Sequence, residues 1–241
     1  MRSLRFILPL LLLAGGLASA QEAAQEAAQD APLAPAKAPL DDYLQQPDAV
    51  YRWELAKTVE GNPSKTFVIL LTSQAWRTEQ DVDRTAWEHW VVIVKPEKLT
   101  TNKVLMMISG GGNDGSMPGG ANEVVAQIAA ATGSVGVELR MVPNQPLVFH
   151  GDGQPRKEDD LIGYGWNQFL ETGDATWLPR LPMVKSAVRA MDCVQEFLKT
   201  DAGGNVVVER FVVAGGSKRG WTTWLTGAAD KRGRSHHPHR H

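Results

Sequence analysis

A serine in a short glycine-rich segment has the setting of a catalytic nucleophile. Ser217 follows a run of β-type residues, Asn205–Ala214, and precedes Trp221–Leu225, a segment that can open a helix. Gly215 and Gly220 flank the serine and allow a tight turn in which strand and helix pack closely. A serine on such a turn can attack an acyl carbon when a base accepts its proton. The alternative is a serine that only caps the following helix.

The spacing of the small residues around this serine is unusual. A nucleophile turn commonly has small residues two positions before and two positions after the serine. Gly215 fits this pattern, whereas Arg219 stands at the second position and Gly220 comes one residue late. The segment is therefore a G-x-S-x-x-G variant of the expected turn.

A second glycine-rich stretch follows a short apolar strand predicted over Val104–Ile108. Gly110, Gly111 and Gly112 carry no side chains, so their N–H groups can point at a developing oxyanion. The N–H of Lys218, directly after the serine, is the second donor that such a site needs. The order of the segments predicts an oxyanion loop first and a nucleophile later in the chain.

The same glycine loop allows two other interpretations. Gly110, Gly112 and Gly115 match the G-x-G-x-x-G fingerprint of dinucleotide sites, and Glu138 follows about 20 residues further on. In a dinucleotide site, however, the helix begins inside the glycine motif, whereas Pro118 delays it here. A flexible turn without a chemical role is the other alternative.

The remaining candidates for proton transfer are few. Glu158, Asp159 and Asp160 form an acidic run that could act in acid–base chemistry or bind a cation, although a solvated turn or helix start is favoured. His89 and His150 are the histidines of the expected folded region. Neither comes after the candidate nucleophile, as the order serine, acid, histidine requires.

The pattern of predicted elements indicates a mixed arrangement of strands and helices. Strands are predicted over Tyr51–Val59, Thr66–Thr72, Glu88–Lys95, Val104–Ile108, Gly133–Leu139 and Asn205–Ala214, and helices over Asn122–Ala131 and Pro182–Thr200. Close spacing of the first three strands predicts antiparallel pairing, and the later alternation predicts parallel strands. We predict an α/β fold, α/β-hydrolase-like, with three αβα layers and a mostly parallel sheet. Residues Pro143–Gly165 are expected to form a long irregular loop that is itself functional or covers a site.

The composition is that of a globular protein preceded by a leader. The chain is 43% hydrophobic and 22% charged with a net charge of −2, which argues against a nucleic-acid partner. Residues 1–20 combine a positive start, the apolar run Phe6–Ala14 and a small-residue site at Ala18–Ala20. We predict a signal peptide, a periplasmic or secreted protein, and no stable membrane span after cleavage. Residues 21–40 are predicted to form a low-complexity linker.

Several motifs resemble those of the PhoPQ-activated pathogenicity-related proteins. They are Arg156–Trp166, Glu171–Trp177, Leu181–Asp192 and Gly216–Trp224, in this order. The resemblance covers about residues 40–232. It implies an exported protein of the α/β-hydrolase fold with its serine at Ser217, and a longer chain that supplies the acid and the histidine.

The last residues do not fit the end of such a fold. Residues 233–241 contain four of the six histidines and lack side chains that could complete a core. We expect a truncated or frame-shifted end, with a metal-binding tail or a cloning remnant as alternatives. The domain is then the N-terminal part of the fold, residues 41–232, incomplete at its C-terminus. Strand Arg210–Ala214 is expected to expose an apolar edge.

The functional prediction is a serine hydrolase that cleaves an ester or amide bond through Ser217 in the full-length form. The substrate class is a small molecule or a peptide, and no cofactor or metal ion is expected. The fragment itself is expected to be inactive. The alternative is a secreted, non-catalytic binding or signalling module on the same scaffold.

Overall fold

The computed structural model describes residues 38–233 of the chain. Contacts divide the chain between Ala38 and Pro39, and all the elements described below belong to the second unit. The expected signal peptide, most of the linker and all but the first residue of the tail lie outside the described residues. Within residues 38–233, none of the helices is both long enough and apolar enough to cross a membrane.

Residues 38–233 contain eight strands and five α-helices. The strands are β1 (Arg52–Val59), β2 (Ser64–Ala75), β3 (Ala86–Pro96), β4 (Lys103–Ile108), β5 (Val135–Leu139), β6 (Leu147–Val148), β7 (Pro155–Arg156) and β8 (Arg210–Gly215). The helices are α1 (Pro39–Gln45), α2 (Glu123–Thr132), α3 (Glu158–Thr172), α4 (Arg180–Leu198) and α5 (Lys218–Ala229), with short 3₁₀ turns at Ala175–Trp177 and Lys231–Gly233.

Six of the strands form one central sheet in the order β1-β2-β3-β5-β4-β8. The pairs β1–β2, β2–β3 and β3–β5 are antiparallel. Strand β4 lies parallel to both of its neighbours, β5 and β8. The predicted α/β class is confirmed. The sheet of the described residues is mixed, because it contains three antiparallel pairs and two parallel pairs.

Helices cover both faces of this sheet. Because successive strand residues point to opposite faces, Ile93 and Val94 belong to two different hydrophobic clusters. The larger cluster packs under α4, and the smaller one packs under α2. The side chain of Asn122 caps α2 by accepting a hydrogen bond of 2.9 Å from the N–H of Val124. The three-layer arrangement is therefore the one predicted.

Helix α3 is the main departure from the sequence prediction. Its first half lies within Pro143–Gly165, a segment expected to be irregular. The residue before it, Lys157, makes no side-chain capping bond, so the usual start signal is missing. Gly165 interrupts the sequence pattern of a helix, although α3 continues through it. Glycine is required there because a Cβ would lie 2.5 Å from the carbonyl oxygen of Trp177. Tertiary packing therefore stabilises this helix, and the local sequence gives no sign of that packing.

Strand β8 lies at one edge of the sheet within the described residues. It starts at Arg210, later than the predicted Asn205, because the preceding residues bond elsewhere: the N–H of Val206 donates to the carbonyl of Leu198. Val212 on this strand is 41% exposed. An apolar side chain therefore faces solvent on this strand.

His89 is a buried histidine whose neutral form the fold requires. It is fully buried in β3, with Nε2 3.0 Å from Oγ of Ser73 and Nδ1 3.2 Å from the carbonyl oxygen of Arg140. Burial lowers the pKa of His89 from 6.5 to about 4, because the charged ring cannot be solvated there. This placement makes His89 a structural residue of the core.

We expect the free energy of unfolding to fall as the pH decreases from 6.5 to 4. In this window the unfolded chain binds a proton at His89 whereas the folded chain does not, which costs about 3 kcal/mol by pH 4. Urea unfolding at several pH values measures the effect. The His89→Gln variant should show a flatter pH dependence over this window, and His150→Gln, at an exposed histidine, should follow the parent chain. Equal slopes for His89→Gln and the parent would contradict the assignment.

Candidate active site

The backbone of Ser217 is held in a rare conformation at the end of β8. Its φ of 54° and ψ of −124° are values that residues other than glycine seldom adopt. The side chain is exposed and makes no capping hydrogen bond, although Ser217 occupies the N-cap position of α5. The helix-cap interpretation is therefore wrong for this serine, and its hydroxyl faces solvent.

Close packing around the turn explains the unusual spacing of the glycines. A Cβ at Gly215 would lie 2.8 Å from the carbonyl oxygen of Arg219 and 3.0 Å from Oγ1 of Thr223. A Cβ at Gly220 would lie 3.0 Å from the carbonyl oxygen of Gly215. The first turn of α5 thus rests directly on the end of β8, and Gly220 provides the small residue that the usual pattern places one position earlier.

The predicted oxyanion loop lies beside this serine. Strands β4 and β8 are parallel neighbours, and Ile108 at the end of β4 pairs with Gly215 at the end of β8. The loops that leave these two strands therefore emerge side by side at the carboxyl edge of the sheet, the usual place for sites in α/β proteins. A Cβ at Gly110 would lie 2.7 Å from Nη2 of Arg219, so the two segments are in contact.

The glycine loop is held in place by the segment that follows β5. The N–H of Met141 donates to the carbonyl of Gly110 at 2.9 Å, and the N–H of Asn113 donates to the carbonyl of Gln145 at 2.5 Å. Gly111 has a φ of 121°, which favours glycine. Within residues 38–233 the N–H groups of Gly110, Gly111 and Gly112 donate no hydrogen bond to a backbone carbonyl. These donors are thus free for a bound group.

The N–H of Lys218, like those of the glycine loop, has no backbone acceptor in its own helix. Lys218 is the first residue of α5, where an N–H has no acceptor inside the helix. The carbonyl of Lys218 accepts a 2.7 Å hydrogen bond from Nη1 of Arg180, whose guanidinium also lies over the ring of Trp221 at 4.4 Å. Arg180 therefore fixes the peptide between Lys218 and Arg219, which is the second peptide after the serine.

Glu158 links the serine turn to the glycine loop. Its carboxylate pairs with Arg219 and lies 2.9 Å from Nζ of Lys218. Gln145 and Glu158 also form a reciprocal pair of hydrogen bonds, each 2.7 Å long. Nε of Arg219 donates to the carbonyl of Val142 at 2.7 Å. We call Glu158, Lys218, Arg219 and Gln145 the carboxylate clamp.

The clamp favours the ionised form of Glu158. Although desolvation works in the opposite direction, the hydrogen bonds from Arg219, Lys218 and Gln145 lower the pKa of Glu158 to about 2. The same contact raises the pKa of Lys218, because its cation is stabilised by Glu158 and Asp159. The side chain of Lys218 is thus a cation held by Glu158, and a protonated lysine cannot act as a base.

Sequence reasoning named Glu158 only as one of three acidic neighbours and did not identify its contact with Arg219. The acidic run favours a solvated turn or helix start, and Glu158 does begin α3. Asp159 and Asp160 agree with the solvated interpretation, since their side chains are 88% and 61% exposed. The available signal was Arg219, a charged residue at a position where small residues are usual.

Neither described histidine contacts Ser217. Both ring nitrogens of His89 are engaged by Ser73 and by the backbone, and Nε2 of His150 lies 3.1 Å from the carbonyl oxygen of Glu79. Over residues 38–233 no group of three or more histidine, cysteine, aspartate or glutamate side chains is arranged to hold a metal ion. The dinucleotide interpretation also lacks support, because α2 begins only at Glu123, well after the glycine motif.

An open cleft of about 370 Å³ borders the glycine loop. Its walls combine backbone, one aromatic ring and one ion pair. The lining residues are Trp90, Gly110, Gly111, Gly112, Gly115, Ser116, Pro118, Glu138, Arg140 and Met141. The cleft therefore lies next to the three N–H groups described above.

A strained serine between a strand and a helix, beside a glycine-rich loop from the neighbouring parallel strand, is the arrangement of α/β-hydrolase-type proteins. The mixed sheet with helices on both faces is that fold. The chain belongs to the PhoPQ-activated pathogenicity-related protein family, whose match covers residues 40–238. The resemblance noted from the motifs is thus confirmed.

A curated relative is the autocrine proliferation repressor protein A of Dictyostelium discoideum, which is 46% identical over 196 residues. The match covers 80% of this chain and 39% of that protein, so the chain spans about two fifths of its relative's length.

Solved structures with similarity include two esterases. A glucuronoyl esterase from Solibacter usitatus has a TM-score of 0.49 and 16% identity, over 78% of this chain and 51% of the esterase. Acetyl xylan esterase 1 from Thermoanaerobacterium sp. JW/SL YS485 has a TM-score of 0.47 and 14% identity, over 80% of this chain and 53% of that enzyme.

Proposed function

We propose that this chain carries the nucleophile and oxyanion site of an exported serine hydrolase that cleaves an ester or amide bond. The observation that carries the proposal is the backbone of Ser217, with φ of 54° and ψ of −124° at the end of β8. Strained residues of this kind persist where the surrounding structure enforces them, and they concentrate at functional sites. Export is supported by the leader pattern in residues 1–20.

The chemistry is an acyl transfer through the serine. Oγ of Ser217 attacks the carbonyl carbon while its proton passes to a base, and the carbonyl oxygen becomes an oxyanion. The N–H of Lys218 and an N–H from Gly110, Gly111 or Gly112 donate to that oxyanion. The leaving alcohol or amine takes up the proton, and water then releases the acyl group by the reverse sequence of steps.

The base in this proposal lies outside the described residues. His89 is fully buried and bonded at both nitrogens, and Lys218 is held as a cation by the clamp. The described part of the chain therefore supplies the nucleophile, the oxyanion donors and the clamp that orients them. A base added from solution can act in its place in an experiment.

Covalent labelling of the 241-residue chain by a fluorophosphonate tests the proposal. We expect one adduct per chain, located at Ser217 by peptide mass spectrometry and formed faster when imidazole is added as a base. Ser217→Ala should abolish the adduct, and Ser64→Ala, at the start of β2, should leave it unchanged. A folded chain that gives no adduct at Ser217 with imidazole present would overturn the proposal.

A secreted signalling module is the second candidate function. The relative from Dictyostelium is named as an autocrine repressor of proliferation, and neither described histidine contacts Ser217. A signalling role through binding alone would not need the serine. If Ser217→Ala retains the full biological effect of the protein, the signalling candidate replaces the hydrolase.

A further inference from the structure

The cleft beside the glycine loop contains a fixed ion pair that no step of the acyl transfer uses. Glu138 is 4% exposed in β5, and Oε2 of its carboxylate accepts from both Nε and Nη2 of Arg140, at 2.9 and 2.7 Å. Nη2 of Arg140 also lies 3.4 Å from the carbonyl oxygen of Gly120. A largely buried carboxylate is thus held in one orientation at the wall of the cleft.

The pair leaves one donor and one acceptor unused. Among the described residues, Nη1 of Arg140 and Oε1 of Glu138 have no hydrogen-bond partner, and neither atom is fully buried. Both residues line the cleft, so the ion pair presents polar groups at its wall. Such positioned polar groups usually determine which ligand a pocket accepts.

The charge balance of the cleft favours a neutral ligand. Glu138 and Arg140 are the two charged residues among those that line it, and they neutralise each other. A carboxylate or phosphate ligand would have to approach a guanidinium that is already paired with Glu138, and the glutamate would repel it. A hydroxyl group, which can both donate and accept, matches a free acceptor beside a free donor.

An aromatic ring completes the site. Trp90 on β3 is half-buried and lines the same cleft, and the N–H of Arg140 donates to its carbonyl at 2.9 Å. An indole face packs well against the C–H face of a saturated ring, and the amphipathic ring tolerates a wet neighbourhood. An aromatic face beside paired donor and acceptor groups suits a ring that is apolar on its faces and hydroxylated at its edge.

We propose that this cleft binds a neutral sugar ring, with adjacent hydroxyl groups on Glu138 and Arg140 and its C–H face on Trp90. The substrate of the hydrolase is then an ester or amide of a carbohydrate. This substrate assignment rests on the proposed function, because Gly110–Gly112 border both the cleft and the reacting group. The binding of the sugar itself does not depend on Ser217.

Saturation-transfer NMR titrations with the 241-residue chain test the inference. The probes are methyl β-glucopyranoside, cyclohexylmethanol as a ring of similar size with one hydroxyl, and succinate as an anion. We expect the glycoside to bind at millimolar concentration and the other two to bind more weakly. No saturation transfer to the glycoside, or stronger binding of cyclohexylmethanol or succinate, would overturn the assignment.

Two variants of the same tryptophan separate recognition from folding. Trp90→Leu should weaken glycoside binding about tenfold, whereas Trp90→Phe retains an aromatic face and should bind nearly as well as the parent. Trp166→Leu, on α3 and outside the cleft, should bind like the parent chain. Equal binding by Trp90→Leu, with all variants folded in thermal unfolding, would contradict the inference.

The two proposals fail in distinguishable ways. The fluorophosphonate carries no sugar, so labelling of the parent chain at Ser217 does not require the sugar site. Ser217→Ala should still bind the glycoside. Labelling without glycoside binding overturns only the sugar site, and glycoside binding without labelling overturns only the hydrolase.

Discussion

Replacing Asp48 by asparagine should lower the free energy of unfolding by about 3–5 kcal/mol, a large share of the stability of a domain this size. Oδ1 of Asp48 lies 3.0 Å from Nζ of Lys185, and Oδ2 lies 2.7 Å from Nη2 of Arg189. The side chains of Asp48 and Lys185 are only 7% and 3% exposed. Removing the carboxylate leaves a buried ammonium without its counter-charge, which is the costly case.

The same contact attaches the first described helix to the domain. Nζ of Lys185 also donates to the carbonyls of Tyr43 and Gln46, at 3.1 and 2.7 Å, and so fixes the end of α1 on α4. Burial lowers the pKa of Lys185, whereas Asp48 raises it. Removing the carboxylate of Asp48 therefore lowers the pKa of Lys185 further.

Chemical unfolding of the single and double variants measures the effect of Asp48. The double variant Asp48→Asn/Lys185→Met, which removes both charges, should recover much of the loss. Glu54→Gln, at an exposed position of β1, is the matched control and should change stability by less than about 0.5 kcal/mol. A small effect of Asp48→Asn alone would show that water can still solvate Lys185, contrary to the prediction.

Replacing Glu158 by alanine should slow imidazole-assisted labelling of Ser217 by about a hundredfold. The carboxylate clamp holds Lys218 and Arg219, the two residues directly after the serine, and connects them through Gln145 to the segment that supports the glycine loop. Small displacements of reacting groups reduce rates by this order of magnitude. This prediction rests on the proposed function, because labelling reports the reactivity of the serine.

The control for Glu158 lies two residues away on the same helix. Asp160 pairs with Arg156 at 2.8 Å and is 61% exposed, so Asp160→Asn removes an acidic group of α3 without touching the clamp. Its labelling rate should equal that of the parent. Unchanged labelling in a folded Glu158→Ala variant would show that the turn is held without the clamp.

The pH dependence of the clamp follows from the ionisation of Glu158. Its pKa is about 2 in the folded chain and 4.5 in the unfolded chain, so the clamp is fully present above pH 4.5. The clamp is lost as the pH falls through about 2. The contribution of Glu158 to the free energy of unfolding therefore begins to fall at about pH 4.5, so acid unfolding between pH 6.5 and 4.5 reports His89.

The sequence was sufficient for features whose signals are local. The β-type run before Ser217 and the glycines around it predict a strand, a tight turn and a helix, and the fold has β8 and α5 there. The apolar strand Val104–Ile108 followed by glycines likewise places the second loop. Because parallel strands end at the same edge of a sheet, the order of the segments alone indicates that these two motifs lie near one another.

Features that depend on distant partners could not be predicted in this way. The contact between Glu158 and Arg219 joins residues 61 positions apart, and nothing in the acidic run distinguishes Glu158 from its exposed neighbours. Helix α3 begins without a side-chain cap and contains glycines, so its local signal is weak. The cleft was also not predicted, because Trp90 and Glu138 come from strands whose antiparallel pairing only the fold reveals.

The strained backbone of Ser217 has a consequence for how this segment can change during evolution. A non-glycine residue in a sparsely populated φ/ψ region costs about 1–3 kcal/mol, and glycine would adopt the same turn without that penalty. Mutation and selection for folding alone would therefore favour glycine at this position, next to glycines that already stand there. Under the proposed function, a hydroxyl side chain here trades stability for activity, so we expect Ser217→Gly to give a more stable protein that can no longer be labelled.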